Sequence, residues 1–426
     1  MNSRKPLHLM ILAARLILMG LLFIVLWLPS PDRDTWAFLL IPAAIISLAS
    51  PMMNRRPHNW SRFYLPLSVF IALCVLSIYI SPFQTRGWIL LFRPLAGLWI
   101  FVTLTEITST DWTQRWILAV FAVLTLIILL MGIGGLSWTG KASRFSDIIA
   151  HLPQWQDFWW WRGGLNVNEF SGGATWLIPM LAGLSLRLSG QNFLRLCAFA
   201  AATVLTIIVF LSQSLSGIAG VIAGLIFVFV QCRHFRLSLV IVGAVLLAGN
   251  LAVLLYPVQS ANLLAAASGR PDVNSLEHRA VMWQRAQAMI YDYPFTGVGI
   301  AMYRQLREQY ATPGYERFLV PHPHNEALQF GTDLGIPGLI VYGWLALLIG
   351  QAAYHVVIHG SRAECAAAIA VTAGLIGHAV YALTDAIPIW DRFAFVFWCL
   401  LGLLGGLDAR VSARRSPPEP DTPPSG

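Results

Sequence analysis

The sequence predicts an all-α polytopic membrane protein of about twelve transmembrane helices, with a large helical loop on the outer face between spans 9 and 10. Three observations carry that expectation. Of 426 residues, 57% are hydrophobic and only 11% charged, against about 25% charged in ordinary soluble domains. Apolar stretches of bilayer length recur along the chain. Between the ninth and tenth, residues 257–334 are too long for a hairpin and carry amphipathic helical patterning. A soluble enzyme of this length needs a charged shell that these residues cannot make, and a disordered chain would not be this apolar.

In order, the expected spans cover roughly residues 8–28, 36–52, 63–81, 88–105, 115–136, 171–188, 194–211, 215–231, 236–256, 336–357, 364–383 and 391–407. Arg4 and Lys5 precede the first span, and no small-residue cleavage site follows it, so it reads as uncleaved. The tails and one set of short loops hold fourteen basic residues. The opposite short loops hold six: Arg33, Arg86, Lys141, Arg144, Arg162 and Arg392. The positive-inside rule then puts both termini in the cytoplasm.

The chain divides accordingly. Residues 1–256 form a membrane domain with an outer loop at 137–170, and 257–334 form the long outer loop. Residues 335–409 return to the membrane, and the Pro-rich end 410–426 reads as a disordered cytoplasmic tail. The net charge of +8 comes from scattered basic residues with no basic run, which sets nucleic acid aside as a partner. Cys74, Cys197, Cys232, Cys365 and Cys399 show no paired spacing, so neither a disulfide framework nor a cysteine metal site is expected.

The chemistry concentrates in the long loop. Asn274-Ser-Leu-Glu277 has the form of a capping box opening a helix to about Tyr291. At 100° per residue, Leu276, Arg279, Trp283, Ala286 and Ile290 share a stripe, while Arg285 points away from it toward solvent or headgroups. A guanidinium on a buried face needs an anion, which can be a ligand or a structural carboxylate. Tyr293-Pro-Phe-Thr-Gly-Val-Gly299 lacks the third glycine of a dinucleotide loop, with Met302 in its place, and reads as a turn into a short helix with Arg304 and Arg307.

Pro321-His-Pro-His-Asn-Glu326 is the densest polar cluster. His322, His324 and Glu326 are a metal triad by residue type, but Pro323 between the histidines opposes convergence. The other readings are one histidine acting as a general base at a helix start, or surface histidines in a turn. Arg93 lies within the fourth span, where an arginine is either functional or snorkels to headgroups. Trp155, Trp159, Trp160 and Trp161 could stack on sugar rings or form an interfacial belt.

His324-Asn325, followed after nine residues by Gly335-Ile-Pro-Gly338, resembles the signature of the O-antigen ligases and polymerases, which are bacterial membrane glycosyltransferases. The Arg279…Trp283…Tyr293–Gly299 stretch resembles the family's segment ahead of that histidine. Asn166-Val-Asn168 is similar to its Asn-Pro-Asn motif, with Val167 in place of proline. Where the family has a Ser-Arg pair after the seventh span, this chain reads Ser214-Leu215.

The resemblance implies transfer of O-antigen polysaccharide from undecaprenyl pyrophosphate to a lipid A-core hydroxyl, at the periplasmic face of the inner membrane. It implies His324 as the base and Arg279 as the stabiliser of the pyrophosphate leaving group. Arg93, Arg86 or Arg162 would replace the arginine missing at Leu215. Asn166, Asn168, Trp283, His322 and Asn325 are the further substrate-binding candidates, and neither metal nor cofactor is expected. A polymerase extending lipid-linked glycan is the alternative within the family. A lipid-linked sugar transporter is the alternative outside it, opposed by the scarcity of carboxylates within the spans and by the absence of a visible inverted repeat.

Overall fold

The computed structural model describes residues 13–22, 40–43, 61–82, 84–110, 114–138, 145–153, 164–187, 192–230, 234–267, 274–306, 309–310 and 320–415. These are helical almost throughout, as a lipid environment demands: backbone groups there must be satisfied within the segment, because no water is available to do it. In chain order the helices are α1 (Ala13–Leu22), α2 (Tyr64–Ile80), α3 (Gln84–Thr110), α4 (Gln114–Gly134), the short α5 (Ser146–Ala150), α6 (Val167–Arg187) and α7 (Asn192–Leu211). They continue with α8 (Leu215–Val230), α9 (Phe235–Leu255), α10 (Pro257–Ala267), α11 (Asn274–Asp292), α12 (Glu326–His359), α13 (Arg362–Tyr381) and α14 (Ala394–Arg415). Strands are confined, among the described residues, to a two-residue parallel pair, β1 (Leu136–Ser137) with β2 (Leu165–Asn166).

Six of these helices, α3, α7, α9, α12, α13 and α14, are long and apolar enough to cross a membrane. The expected spans coincide with helices wherever they are described. The second is described only at residues 40–43, and the tail beyond Arg415 lies outside the described residues.

Two packed groups make up the bundle. One joins α13 to α6 and α8, with α7 beside α6. The other joins α14 to α3, and α12 bridges them by touching α2, α13 and α14. The first group depends on small residues. A Cβ added at Gly220 would lie 2.4 Å from the Gly377 carbonyl oxygen, and one at Gly377 would lie 2.8 Å from that of Thr175. Backbones this close gain dispersion contacts where lipid offers no hydrophobic drive between helices. By contrast α9 exposes Leu237, Val240, Ile241, Val245, Leu247 and Leu251, as a helix facing acyl chains would.

The long loop builds a small core of its own. Trp283, Ala286, Met289 and Ile290 of α11 pack with Val298, Met302, Tyr303 and Leu306 and against Leu328 of α12. The Tyr293–Gly299 stretch is indeed a turn, but residues 302–306 continue as turns and not as the expected helix, and Arg307 lies outside the described residues. That turn lies flat on a kink in α12, where Gly335 leaves the helix at φ 71°. There Ile336 N–H donates to the Pro294 carbonyl at 2.7 Å and Val298 N–H to that of Thr332 at 2.7 Å. The two glycine-bearing motifs are thus halves of one joint that fixes the loop against the bundle.

Candidate active site

His324 stands immediately before α12, held by its neighbours in a conformation that side chains usually avoid. Its φ is 52°, in the left-handed region. Asn325, fully buried, caps α12: its Oδ1 accepts from Leu328 N–H at 2.8 Å, and its Nδ2 donates to the Leu383 carbonyl at 3.0 Å. The His324 N–H donates to His322 Nδ1 at 3.3 Å, and the Trp283 indole N–H donates to the His324 carbonyl at 3.4 Å. The main chain of His324 is therefore held at both its N–H and its carbonyl. Trp283 is fully buried, so it bears on the site through this bond and not by stacking on a sugar.

The His324 ring has a partner that sequence reasoning missed. Its Nδ1 lies 2.7 Å from Asp385 Oδ1, in the loop between α13 and α14. Asp385 is buried, and its Oδ1 also accepts from Ala386 N–H at 2.9 Å. Burial alone would raise its pKa; the His324 charge and hydrogen bond, then His322 and Arg279, outweigh that and hold the carboxyl well below the usual carboxylate range. His322 is shifted down as well, which in its case favours the neutral ring. Burial first, then the neighbouring His324, lowers its pKa to about 3, against the pull of Asp385. The available signal for Asp385 was its place as one of the few carboxylates at the outer end of a span.

Arg279 is half-buried beside this pair, near enough to act on Asp385 and on the Tyr381 hydroxyl. Its Nε is buried with no hydrogen-bond partner among the described residues. The nearby anion within the chain is the Asp385 carboxylate, on which Arg279 acts through space. Arg285, expected on the solvated side, is buried instead at 3% exposure. The reason is that α11 is covered from more than one direction, by α9 and α10 on one hand and α12 on the other.

Glu326, the third member of the metal triad suggested by residue type, turns away from the histidines. Its carboxylate lies 3.2 Å from Nε2 of His378, whose ring stacks on Trp176 at 3.7 Å. The carboxylate brought to His322 and His324 is Asp385, and the ligand-capable atoms of these three all lie within 4.8 Å of one another.

The other candidates are arranged around this centre. Asn166 Oδ1 accepts from Asn168 N–H at 2.8 Å, an Asx turn that opens α6, and the Asn168 carbonyl accepts from the Tyr381 hydroxyl at 3.1 Å. Next to them Glu169 receives both Nε and an Nη of Arg392, at 2.7 and 3.3 Å. Arg93 donates to the Trp390 carbonyl at 2.5 Å, and Arg86 faces the Gln305 side-chain amide, whose oxygen accepts at 2.8 and 3.2 Å once that amide is turned over to face the guanidinium. Both arginines thereby tie α3 to loops around the site. Leu215 is exposed at the start of α8. Arg162 and Trp155, Trp159, Trp160 and Trp161 lie outside the described residues.

A multi-pass helical scaffold with a histidine–carboxylate pair and an arginine of unsatisfied Nε gathered where its helices end defines the class: an all-α membrane protein with a polar, titratable cluster at the ends of its helices. Residues 199–343 match the family model described as O-antigen ligase, so the family resemblance carried by the motifs is shown over that segment. The match spans Arg279, His324 and the Gly335–Gly338 kink, and supports an enzyme of the ligase and polymerase kind. Asp385 and the Asn166–Asn168 turn fall outside it. No curated protein matches the chain.

Proposed function

We propose that this protein transfers O-antigen polysaccharide from undecaprenyl pyrophosphate to a hydroxyl of the lipid A-core, at the periplasmic face of the bacterial inner membrane. The observation that carries this reading is the 2.7 Å bond between His324 Nδ1 and Asp385 Oδ1. A carboxylate held ionised there keeps the ring proton on Nδ1 and leaves Nε2 as a free base.

In the reaction so read, Nε2 takes the acceptor hydroxyl proton as that oxygen bonds to the anomeric carbon. The bond from that carbon to the pyrophosphate oxygen breaks, and undecaprenyl pyrophosphate departs with the electron pair. Asp385 stabilises the imidazolium that forms, a contribution of about 10²–10⁴-fold for a positioned base. Arg279 meets the charge that grows on the leaving group, where a charge-assisted bond is strengthened by partial burial. Arg93 and Arg86 contribute by holding the surrounding loops. The bond to pyrophosphate is already activated, so the mechanism calls on no metal, and transfer is expected to survive saturating chelator.

The test is a chromosomal deletion read on a lipopolysaccharide gel. Bare core with accumulated lipid-linked polymer supports the ligase. Core bearing a single repeat unit points to a polymerase, and an unchanged ladder refutes both. Complementation with His324→Ala is expected to leave the deletion pattern in place at normal membrane abundance.

A further inference from the structure

We propose that His322, His324 and Asp385 form a binding site for a borderline transition-metal dication of the Zn²⁺ kind, and that filling it silences the base. Three observations carry the site. The donor atoms of the three residues lie within 4.8 Å of one another. The two imidazole rings stand 4.4 Å apart, with His322 half-buried. Asp385 Oδ2, on a side chain only 3% exposed, is buried with no hydrogen-bond partner among the described residues. A carboxylate oxygen left so is costly, and its free lone pairs call for a partner.

Two imidazoles and one carboxylate are the donor set that Zn²⁺ takes with a fourth position open. Mg²⁺ and Ca²⁺ prefer oxygen donors throughout and are not expected to compete. Donors about 2.0–2.2 Å from a tetrahedral centre stand roughly 3.3–3.6 Å apart, so the cluster closes by about an ångström on binding. Arg279, close enough to act on Asp385, opposes a dication and keeps the affinity modest.

The consequence for His324 holds whichever nitrogen binds. A metal on Nε2 occupies the base itself. A metal on Nδ1 displaces the ring proton to Nε2, which then has no lone pair to accept the acceptor's proton. This second half of the inference rests on the proposed reaction, and the binding half does not.

The experiment uses the untagged full-length protein in detergent, freed of metal by chelation and titrated with Co²⁺. One equivalent with an intense visible spectrum of four-coordinate cobalt, displaced by Zn²⁺ but not by Mg²⁺, is expected. His322→Ala and Asp385→Asn should each weaken it at least about tenfold, with melting temperatures showing that both variants fold. A spectrum no different from aqueous cobalt, or one unchanged in folded His322→Ala, overturns the site. In the activity arm, transfer is measured first on the metal-free protein and then at full Zn²⁺ occupancy. Loss restored by chelator supports silencing, and undiminished transfer overturns it. Failure of the metal-free protein to transfer at all would instead count against the proposed reaction, with the cobalt result unaffected.

Discussion

The Trp390 indole N–H donates to Asp333 Oδ2 at 3.2 Å, joining the loop that carries Asp385 to the turn before the α12 kink. Asp333 holds more than that loop. Its Oδ1 accepts from Ala301 N–H at 3.1 Å, and its carbonyl accepts from the Ser77 hydroxyl at 2.5 Å. Arg93 grips the same tryptophan by its carbonyl. The loop between α13 and α14 and the long loop thus meet on the Asp333 carboxylate, and α2 on its main-chain carbonyl, two residues ahead of the kink.

Asp333→Asn replaces one of two acceptor oxygens with a donor, so either Ala301 or Trp390 must lose its bond. We expect transfer to fall about 10–100-fold through misplacement of Asp385, without loss of the protein from the membrane. Trp390→Phe should act in the same direction, and the double variant should be no worse than the poorer single. Additive losses in a transfer assay would show that the two residues act separately.

Asp385→Asn should lower the rate of transfer by about 10²–10⁴-fold while donor binding changes little. An amide can present its N–H₂ to Nδ1 and so favour the tautomer with its proton on Nε2, where the base is needed. Steady-state rates on purified protein check this, with His324→Ala as the floor. A rate for Asp385→Asn within a few-fold of wild type would remove the carboxylate from the mechanism.

The parts of this site that sequence made legible are those whose signal is local. Apolar length marks the helices, and His324-Asn325 with Gly335–Gly338 marks the joint because those residues are close in the chain. Asp385 lies 61 positions from His324, and only the packing of α13 against α12 makes them neighbours. Arg285 was misplaced because a single apolar stripe assumes one covered face, whereas α11 is enclosed by helices on more than one side. Glu326 parted from the histidines because it is already the first residue of α12, so helical geometry directs it toward His378 while His324 still belongs to the loop.

The far end of the bundle offers a separate test of stability. Asp408 is buried and takes Nε and an Nη of Arg62 at 2.7 and 2.9 Å, with His355 Nδ1 at 2.8 Å. Asp408→Ala leaves Arg62 and His355 without this anion. Because Arg62 is partly exposed and can rehydrate, we expect about 1–3 kcal/mol of destabilisation, below the full cost of orphaning a buried charge. The melting temperature in detergent should drop while transfer per folded molecule is kept, since His324 lies just ahead of the opposite end of α12. An unchanged melting temperature would mean that the cluster contributes nothing net.

Two glycines of α12 predict opposite outcomes for the same substitution. At Gly335 the backbone is left-handed, and an added Cβ would sit 2.5 Å from the Pro294 carbonyl oxygen and 2.9 Å from Gly297 N. Gly335→Ala must bear the left-handed penalty of about 1–2 kcal/mol and also push back the carbonyl that receives Ile336 N–H. We expect a loss of about 2–3 kcal/mol and protease sensitivity appearing in the long loop, whose attachment depends on that bond. Gly343 is helical, with nothing within 4 Å of its added Cβ. Gly343→Ala should therefore be neutral or stabilising by up to about 1 kcal/mol. Parallel thermal unfolding and limited proteolysis of the two variants check both signs, and equal behaviour of the pair would show that the kink is not what holds the loop in place.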